Sequence, residues 1–365
     1  MSKLQEELEF LSKPGDAIRE TIEYIKMTQV ELAKRMDKTP AKVNDLISGK
    51  EPVTLLTAVK LERVLGIDAE FWLNMETFYR NKLERLNRQL NSKKLIQWLK
   101  LQPLKELKNL GYLKTVRVGS EMVEECFKFY GVTNDKQWKM LYANQYRSTN
   151  FRKSEAYDVS VGSIAAFLRI GEIEMRKMNL QSFDRKKFKE VLKEAQKLVK
   201  THPEDFPKTL KKLCFDAGVA LVYTPKFPKA PISGVARWLG GSPLIQLTDR
   251  YQSNDQFWFT FFHEAGHILL HGRKNVFIEK FGKKSVDSKK EIQANNFAKK
   301  WLLPRDIKKE RIGKITADEI CRVAQKHDTH PAIVLGRLQH DGIVPYSYGN
   351  HSRVKVDLDE YITRY

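Results

Sequence analysis

The sequence predicts a mainly α, multidomain protein with an all-α N-terminal region, a helical connector and a C-terminal α+β region that contains a small sheet. Three observations support this fold class. A chain of 365 residues is too long for one ordinary hydrophobic core. Apolar residues recur at helical spacing through most of the first 218 residues. Short apolar runs punctuated by Gly and Pro, which are typical of strands, follow only after that point.

These patterns divide the chain into four segments. We expect a compact helical domain at residues 1–86, a basic helical connector at 87–204, a domain with the sheet at 205–345, and a C-terminal tail at 346–365. No internal repeat or low-complexity tract is visible between them.

The formal net charge of +20 is distributed unevenly along the chain. Residues 1–80 have 12 Lys/Arg against 14 Asp/Glu, whereas residues 81–114 have 9 against 2 and residues 273–314 have 14 against 5. Basic runs on helices are usually solvated faces, but they also suit a surface that follows nucleic-acid phosphates. Charge alone leaves both interpretations open.

The composition indicates a soluble, cytoplasmic protein. No stretch approaches the roughly 18 unbroken apolar residues that identify a membrane helix, so we expect no membrane partner. The N-terminal stretch MSKLQEELEFLSKPGD is too acidic and too polar for a signal peptide. The sequence has three cysteines, an odd number, at the distant positions Cys126, Cys214 and Cys321. This favours free, buried thiols over a disulfide framework.

Residues 15–80 are predicted to form a compact run of short helices. Thr28 is the expected N-cap of the second helix, Thr39 followed by Pro40 begins the third, and Gly49 closes it. The tight turn between the second and third helices gives the layout of a helix-turn-helix, although a plain packing module has the same layout. The predicted helices span residues 16–27, 28–36, 38–50, 55–66 and 69–86.

This region resembles the HigA-type antitoxin version of the XRE helix-turn-helix domain over about 65 residues. The shared landmarks are the PG turn, ELA, GK, A..LE..LG and FWL. The resemblance implies a transcriptional regulator that binds operator DNA and is part of a toxin-antitoxin system. The second helix of the motif enters the major groove with its first residues. The candidate DNA-binding residues are therefore Thr39, Ala41, Lys42, Asn44 and Asp45.

One copy of such a domain binds DNA modestly, because few phosphates and bases are within its reach. We therefore expect either a homodimer or additional contacts from the basic connector. The connector shows helical patterns and no spacing of catalytic residues. Its predicted helices lie within residues 86–113, 120–132, 137–148, 162–180 and 184–202.

The C-terminal region combines strands with helices. Three short apolar runs predict strands at 219–225, 232–239 and 242–248. Of these, we expect 232–239 to offer the exposed edge that would hold an extended peptide. The predicted helices that follow span 255–272, 289–304 and, as a helical pair, 317–339.

The helix predicted at 255–272 contains HEAGH, a complete H-E-x-x-H motif. On a helix, His263 and His267 lie one turn apart on one face and can converge on a metal ion. Glu264 is placed to take a proton from the attacking water. Glu291, on the next predicted helix, suits the third ligand position of a His2Glu zinc site. His271 is better explained as a helix-end or supporting residue, since its spacing does not match a third histidine ligand.

Residues 205–345 resemble the ImmA/IrrE metallopeptidase family. The matching stretches are AGVALVY, ISGVARW, LIQLTDRYQSNDQFWFTFFHEAGHILLHG and EIQANNFAKKWLLP. The resemblance implies a zincin-like fold with His263, His267 and Glu291 as Zn²⁺ ligands and Glu264 as the catalytic base. Gln293 departs from the family, because many members have a second acidic residue there. Some members cleave a repressor, so the resemblance implies a role in regulation.

Two functions remain open from the sequence. The first is a DNA-binding regulator of antitoxin type with a zinc-dependent endopeptidase domain that acts on a protein partner, either a toxin or a repressor. The second is a HigA-like antitoxin and repressor whose metallopeptidase-like domain only binds a toxin or senses a ligand. The intact Glu264 favours the first, because a site without turnover has no need of its base.

Overall fold

The computed structural model describes residues 3–90, 92–143, 160–272, 277–278, 288–303 and 315–365. Its contacts divide the chain into two compact units. The first consists of Met1–Gln97 with Val118–Ser120, and the second of Trp98–Arg117 with Glu121–Tyr365. The mainly α, multidomain fold class with a small C-terminal sheet is confirmed.

The first unit is built from short helices around one apolar core. Its centre is formed by side chains such as Ile18, Leu32, Val43, Leu61 and Trp72, all of them buried. The helices are α1 (Lys3–Glu9), α2 (Pro14–Tyr24), α3 (Gln29–Arg35), α4 (Pro40–Ile47), α5 (Leu55–Leu65) and α6 (Ala69–Leu90). The five predicted helices are therefore present, and α1 is additional.

The predicted caps explain where α3 and α4 begin. The Thr28 hydroxyl accepts a hydrogen bond from the Glu31 amide, and the Thr39 hydroxyl accepts one from the Lys42 amide. Gly49 follows α4 with φ at 76°, a left-handed conformation that favours glycine. Local sequence thus fixes the start of both helices of the motif and the end of α4.

The second unit contains more helices, several of them from the predicted connector. Apolar residues cover almost all sides of one connector helix at 161–177, and it packs on the sheet. The helices are α7 (Ser92–Leu99), which crosses the unit boundary, α8 (Leu104–Asn109), α9 (Ser120–Tyr130), α10 (Asp135–Trp138), α11 (Val161–Lys177), α12 (Arg185–Thr201), α13 (Phe206–Asp216), α14 (Asn254–Leu270), α15 (Ser288–Leu302), α16 (Ala317–Lys326) and α17 (Pro331–His340).

The predicted helix at 137–148 differs from the structure. Only Asp135–Trp138 is α-helical, and Lys139–Ala143 continues as a π-helix. Residues 144–148 of that prediction lie outside the described residues. Most of the connector packs into the second unit, because buried aromatic rings such as Trp98, Tyr130 and Trp138 contact one another there.

The sheet contains the three predicted strands and a short fourth one. The strands are β1 (Ala220–Tyr223), β2 (Gly234–Leu239), β3 (Ser242–Leu247) and β4 (Phe277–Ile278), in the order β1-β3-β2-β4. β1 pairs with β3 in parallel, whereas β2 is antiparallel to both β3 and β4. The expectation that residues 232–239 form the sheet edge is wrong, because β4 pairs with β2 at Val235 and Ala236.

The C-terminal tail lies along the second unit. The Val356 amide donates a hydrogen bond to the Gln252 carbonyl at 3.2 Å, and the Tyr365 amide donates to the Leu110 carbonyl at 2.9 Å. The tail therefore joins the segment before α14 to the segment after α8.

Two composition-based expectations can be compared with the structure. Cys126 and Cys214 are free and buried, but Cys321 is exposed, so burial of all three thiols was wrong. Cys321 lies on the solvent side of the amphipathic helix α16. Within the described residues, no helix has the length and apolar character needed to cross a membrane.

Candidate metal centre and nucleic-acid interface

Helix α14 carries the H-E-x-x-H motif through the interior of the second unit. It packs against β2, β3, α15 and α17, so nearly every side of it is covered. This explains why its sequence is apolar around most of the helix and lacks a clear amphipathic pattern. His263, Glu264 and His267 are polar residues in a buried environment and therefore need specific partners.

Two histidines of α14 and one glutamate of α15 converge. The Nε2 atoms of His263 and His267 lie 2.9 Å apart. The Glu291 carboxylate lies 3.3 Å from His263 Nε2 and 3.5 Å from His267 Nε2. Ligand atoms around a tetrahedral metal ion with bonds of about 2.0–2.1 Å are separated by roughly 3.3 Å. The three side chains can thus hold a divalent metal ion without rearrangement of their helices.

The ring orientations also suit metal binding. His263 Nδ1 lies 3.0 Å from the side-chain oxygen of Asn295, which can only accept a hydrogen bond. Nδ1 therefore carries the proton and Nε2 keeps its lone pair for a metal. Burial, together with the neighbouring His263, His271 and Lys290, lowers the pKa of His267 to about 2. The imidazole of His267 is therefore neutral at physiological pH, as a ligand must be.

His271 ends α14 and supports the ligand next to it. Its Nδ1 lies 3.0 Å from Nδ1 of His267, and its Nε2 lies 2.9 Å from the Gln293 side-chain oxygen. The Gln293 amide is thus the end of a series of hydrogen-bonding side-chain contacts that runs through His271 to His267.

Glu264 lies beside the ligand group rather than in it. Its side chain is fully buried. A Cβ atom on Gly234, the first residue of β2, would lie 2.9 Å from a Glu264 carboxylate oxygen and 2.6 Å from a Thr260 methyl carbon. The absence of a side chain at Gly234 thus leaves room for α14 and the Glu264 side chain to lie close to β2.

The five DNA-binding candidates lie at the start of α4. Thr39, Ala41, Lys42 and Asn44 are exposed, and Asp45 is half-buried. The Thr39 hydroxyl is occupied as the N-cap. The remaining exposed side chains form a surface that a groove can receive, since the buried Val43, Leu46 and Ile47 hold the opposite face of α4 in the core.

Lys42 has an acidic neighbour that the sequence does not reveal. Its ammonium group lies 3.1 Å from the Glu51 carboxylate, and the ammonium of Lys38 lies 3.8 Å from the same group. Binding of a phosphate by either lysine must therefore compete with Glu51.

Sequence reasoning missed two residues that support the metal centre. Asn295 lies four positions after Glu291, so helical periodicity places both on one face of α15 and was a usable signal. Gly234 had no such signal, because its contact with Glu264 joins a strand to a helix 30 positions later in the sequence.

Comparison with known proteins gives two family matches. The family described as IrrE N-terminal-like domain matches residues 216–327. The helix-turn-helix family matches residues 18–72. The first match contains all of the candidate metal ligands, and the second contains all of the candidate DNA-binding residues.

Two similar proteins are also known. The chain is 35% identical over 79 residues to virulence-associated protein I of Dichelobacter nodosus, covering 21% of this chain and 71% of that protein. It is 33% identical over 64 residues to the uncharacterized HTH-type transcriptional regulator YddM of Escherichia coli, covering 18% of this chain and 68% of that protein.

Proposed function

Because this chain belongs to the helix-turn-helix family and also contains an IrrE-like metallopeptidase domain, we propose that it is a DNA-binding regulator of antitoxin type with a zinc-dependent endopeptidase activity. Its partners on this proposal are operator DNA and a protein substrate, either a cognate toxin or a repressor. We further propose that it acts in the cytoplasm, and that it binds its operator as a homodimer, because one helix-turn-helix covers only a half-site.

The observation that carries the proposal is the convergence of His263, His267 and Glu291 beside Glu264. Two imidazoles and a carboxylate are a known ligand set for catalytic zinc, and they leave a coordination position open. His263, His267 and Glu291 would hold the zinc ion, which would supply Lewis-acid chemistry for peptide hydrolysis.

The protein's own residues then handle the proton. Glu264 follows His263 directly on α14, and its buried side chain lies close to β2 at Gly234. It takes a proton from the attacking water and passes it to the amine of the leaving peptide. Asn295 and His271 keep the two ligand rings in place through their hydrogen-bonding contacts.

Metal analysis tests the ligand set. The purified protein should contain close to one equivalent of zinc, and the variant with His263→Ala and His267→Ala should contain almost none. Retention of the original metal content by this variant would show that the ligands lie elsewhere.

A cleavage assay tests the activity. The purified protein is incubated with the products of its neighbouring genes, beside the variant Glu264→Gln, which keeps the shape of the side chain but cannot accept a proton. We expect the unmodified protein to cut its partner at a specific site. The cleavage rate of the variant should be at least 100-fold lower. Stable complex formation without cleavage by either protein would favour the alternative, an antitoxin whose second unit only binds its toxin.

A further inference from the structure

Two lysines and one glutamate form an ion cluster at the start of α4 in the first unit. Lys38 lies in the turn between α3 and α4, Lys42 lies in the first turn of α4, and Glu51 follows α4. The Glu51 carboxylate lies 3.8 Å from the Lys38 ammonium group and 3.1 Å from the Lys42 ammonium group. One negative charge is therefore shared by two positive charges, and the cluster as a whole remains cationic.

Backbone hydrogen bonds hold the three residues of this cluster together. The amides of Lys50 and Glu51 both donate to the Asp45 carbonyl, at 2.9 and 3.1 Å, so the chain after α4 folds back onto that helix. The Lys38 amide donates to the Ala33 carbonyl at 2.9 Å, which ties the turn to the end of α3. The meeting of the three charged groups thus depends on the fold of the motif and not on one flexible side chain.

The ion cluster satisfies Glu51 only in part. Its carboxylate oxygen next to Lys42 is covered from solvent, and no group among the described residues meets it with the geometry of a hydrogen bond. The ion pair alone therefore compensates for the lost hydration of this oxygen, and partly exposed ion pairs contribute little to stability. An anion that replaced the carboxylate would let Glu51 regain water. The Lys42 side chain is 59% exposed, so such an anion can reach it from solvent.

A phosphate group of the DNA backbone is the anion that this position suits. The start of the second helix of a helix-turn-helix lies at the major groove, and backbone phosphates border that groove. A lysine binds a phosphate as a point charge, without strict geometry. Residues 1–80 carry 12 Lys/Arg against 14 Asp/Glu, so this unit has few cations to offer to phosphates.

We propose that Lys38 and Lys42 together form a binding site for one DNA backbone phosphate, and that Glu51 occupies this site in the free protein as a built-in competitor. On DNA binding the phosphate takes the place of the carboxylate, which turns out to solvent. Lys38 is then a DNA contact that lies outside α4. This assignment rests on the proposed binding of operator DNA, because it places a duplex at the start of α4.

Removal of the competitor tests the proposal with the full chain and a random-sequence DNA duplex, by fluorescence anisotropy at several salt concentrations. Glu51→Gln keeps the shape of the side chain and removes its charge. It should raise the affinity about three- to tenfold at low salt, because both lysines are freed for the phosphate. The matched control Glu70→Gln removes the same charge from the exposed first turn of α6 and should change the affinity less than about twofold.

The two lysines are tested by the same substitution in the background Lys38→Ala, Lys42→Ala. There Glu51→Gln should raise the affinity no more than Glu70→Gln does, because no cation remains to be freed. The double lysine variant itself should bind more weakly than the unmodified protein. The slope of its log affinity against log salt concentration should be smaller by about 1, which corresponds to the loss of one phosphate contact.

A purely structural role of Glu51 predicts the opposite result. Glu51→Gln would then lower the melting temperature and leave the DNA affinity unchanged or reduced, and this outcome would overturn the proposal. Equal gains for Glu51→Gln and Glu70→Gln, or a gain that persists without the two lysines, would assign the effect to net charge and also overturn it. Failure of the unmodified protein and of every variant to bind DNA would refute the proposed DNA-binding function itself, and this inference with it.

Discussion

Single side chains determine how the candidate metal ligands are oriented. Asn295 is the clearest case, because its amide oxygen selects the tautomer of His263 that leaves Nε2 available. The next residue, Asn296, is exposed on the same helix and has no contact with the ligand group among the described hydrogen bonds. The pair therefore provides a matched comparison.

Replacing Asn295 by Ala should weaken zinc binding about 10- to 100-fold, because the His263 ring loses the partner that fixes its proton and its angle. Asn296→Ala should leave the affinity unchanged. Competition with a chromophoric chelator measures both variants. Equal zinc affinities for the two would show that the hydrogen bond of Asn295 does not orient the ligand.

At the scale of one element, α4 presents side chains that are suited to two different kinds of DNA contact. Asn44 is exposed and can form two hydrogen bonds with adenine, whereas Lys42 is held near Glu51 and is suited to a phosphate or a guanine. We expect Asn44 to contribute sequence preference more than overall affinity.

Replacing Asn44 by Ala should lower the affinity for operator DNA by about 1–3 kcal/mol and leave the affinity for random DNA nearly unchanged. The control is Asn74→Ala, at an exposed position of α6 outside the motif. Fluorescence anisotropy with both DNAs at one salt concentration measures the difference. Equal losses on operator and random DNA would contradict the assignment of α4 as the recognition helix.

At the scale of the whole molecule, the half-buried His202 links two separate helices of the second unit. His202 follows α12, and its Nδ1 accepts a hydrogen bond from the indole of Trp258 on α14 at 3.2 Å. Burial, together with His330, lowers the pKa of His202 to about 4. Protonation of Nδ1 would remove this acceptor and place a charge among aromatic rings.

The stability of the second unit should therefore fall as the pH drops from about 6.5 to about 4. In this window the unfolded chain binds a proton at His202 and the folded protein does not, so acid favours unfolding. The contribution is about 1–2 kcal/mol once the partial exposure of the ring is taken into account. Urea unfolding at pH 7.5 and 4.5 should show that the free energy of unfolding changes less with pH in His202→Asn than in the exposed control variant His340→Asn. The same pH effect in both variants would rule out this role of His202.

The sequence by itself determined the features that depend on neighbours along the chain. Helical spacing puts His263 and His267 on one face, and Thr28 and Thr39 cap the helices they precede. These features are local, since they depend on residues within about one helical turn. The strands β1 to β3 were predictable for the same reason, from short apolar runs with Gly or Pro at their ends.

Only the tertiary structure decided which distant segments meet. It places β2 inside the sheet and packs Gly234 against Glu264. It also joins Tyr365 to Leu110. Each of these contacts joins positions that are far apart in sequence, and the packing of the whole core selects them. A periodic pattern shows which face of an element is buried but does not show which other element covers it.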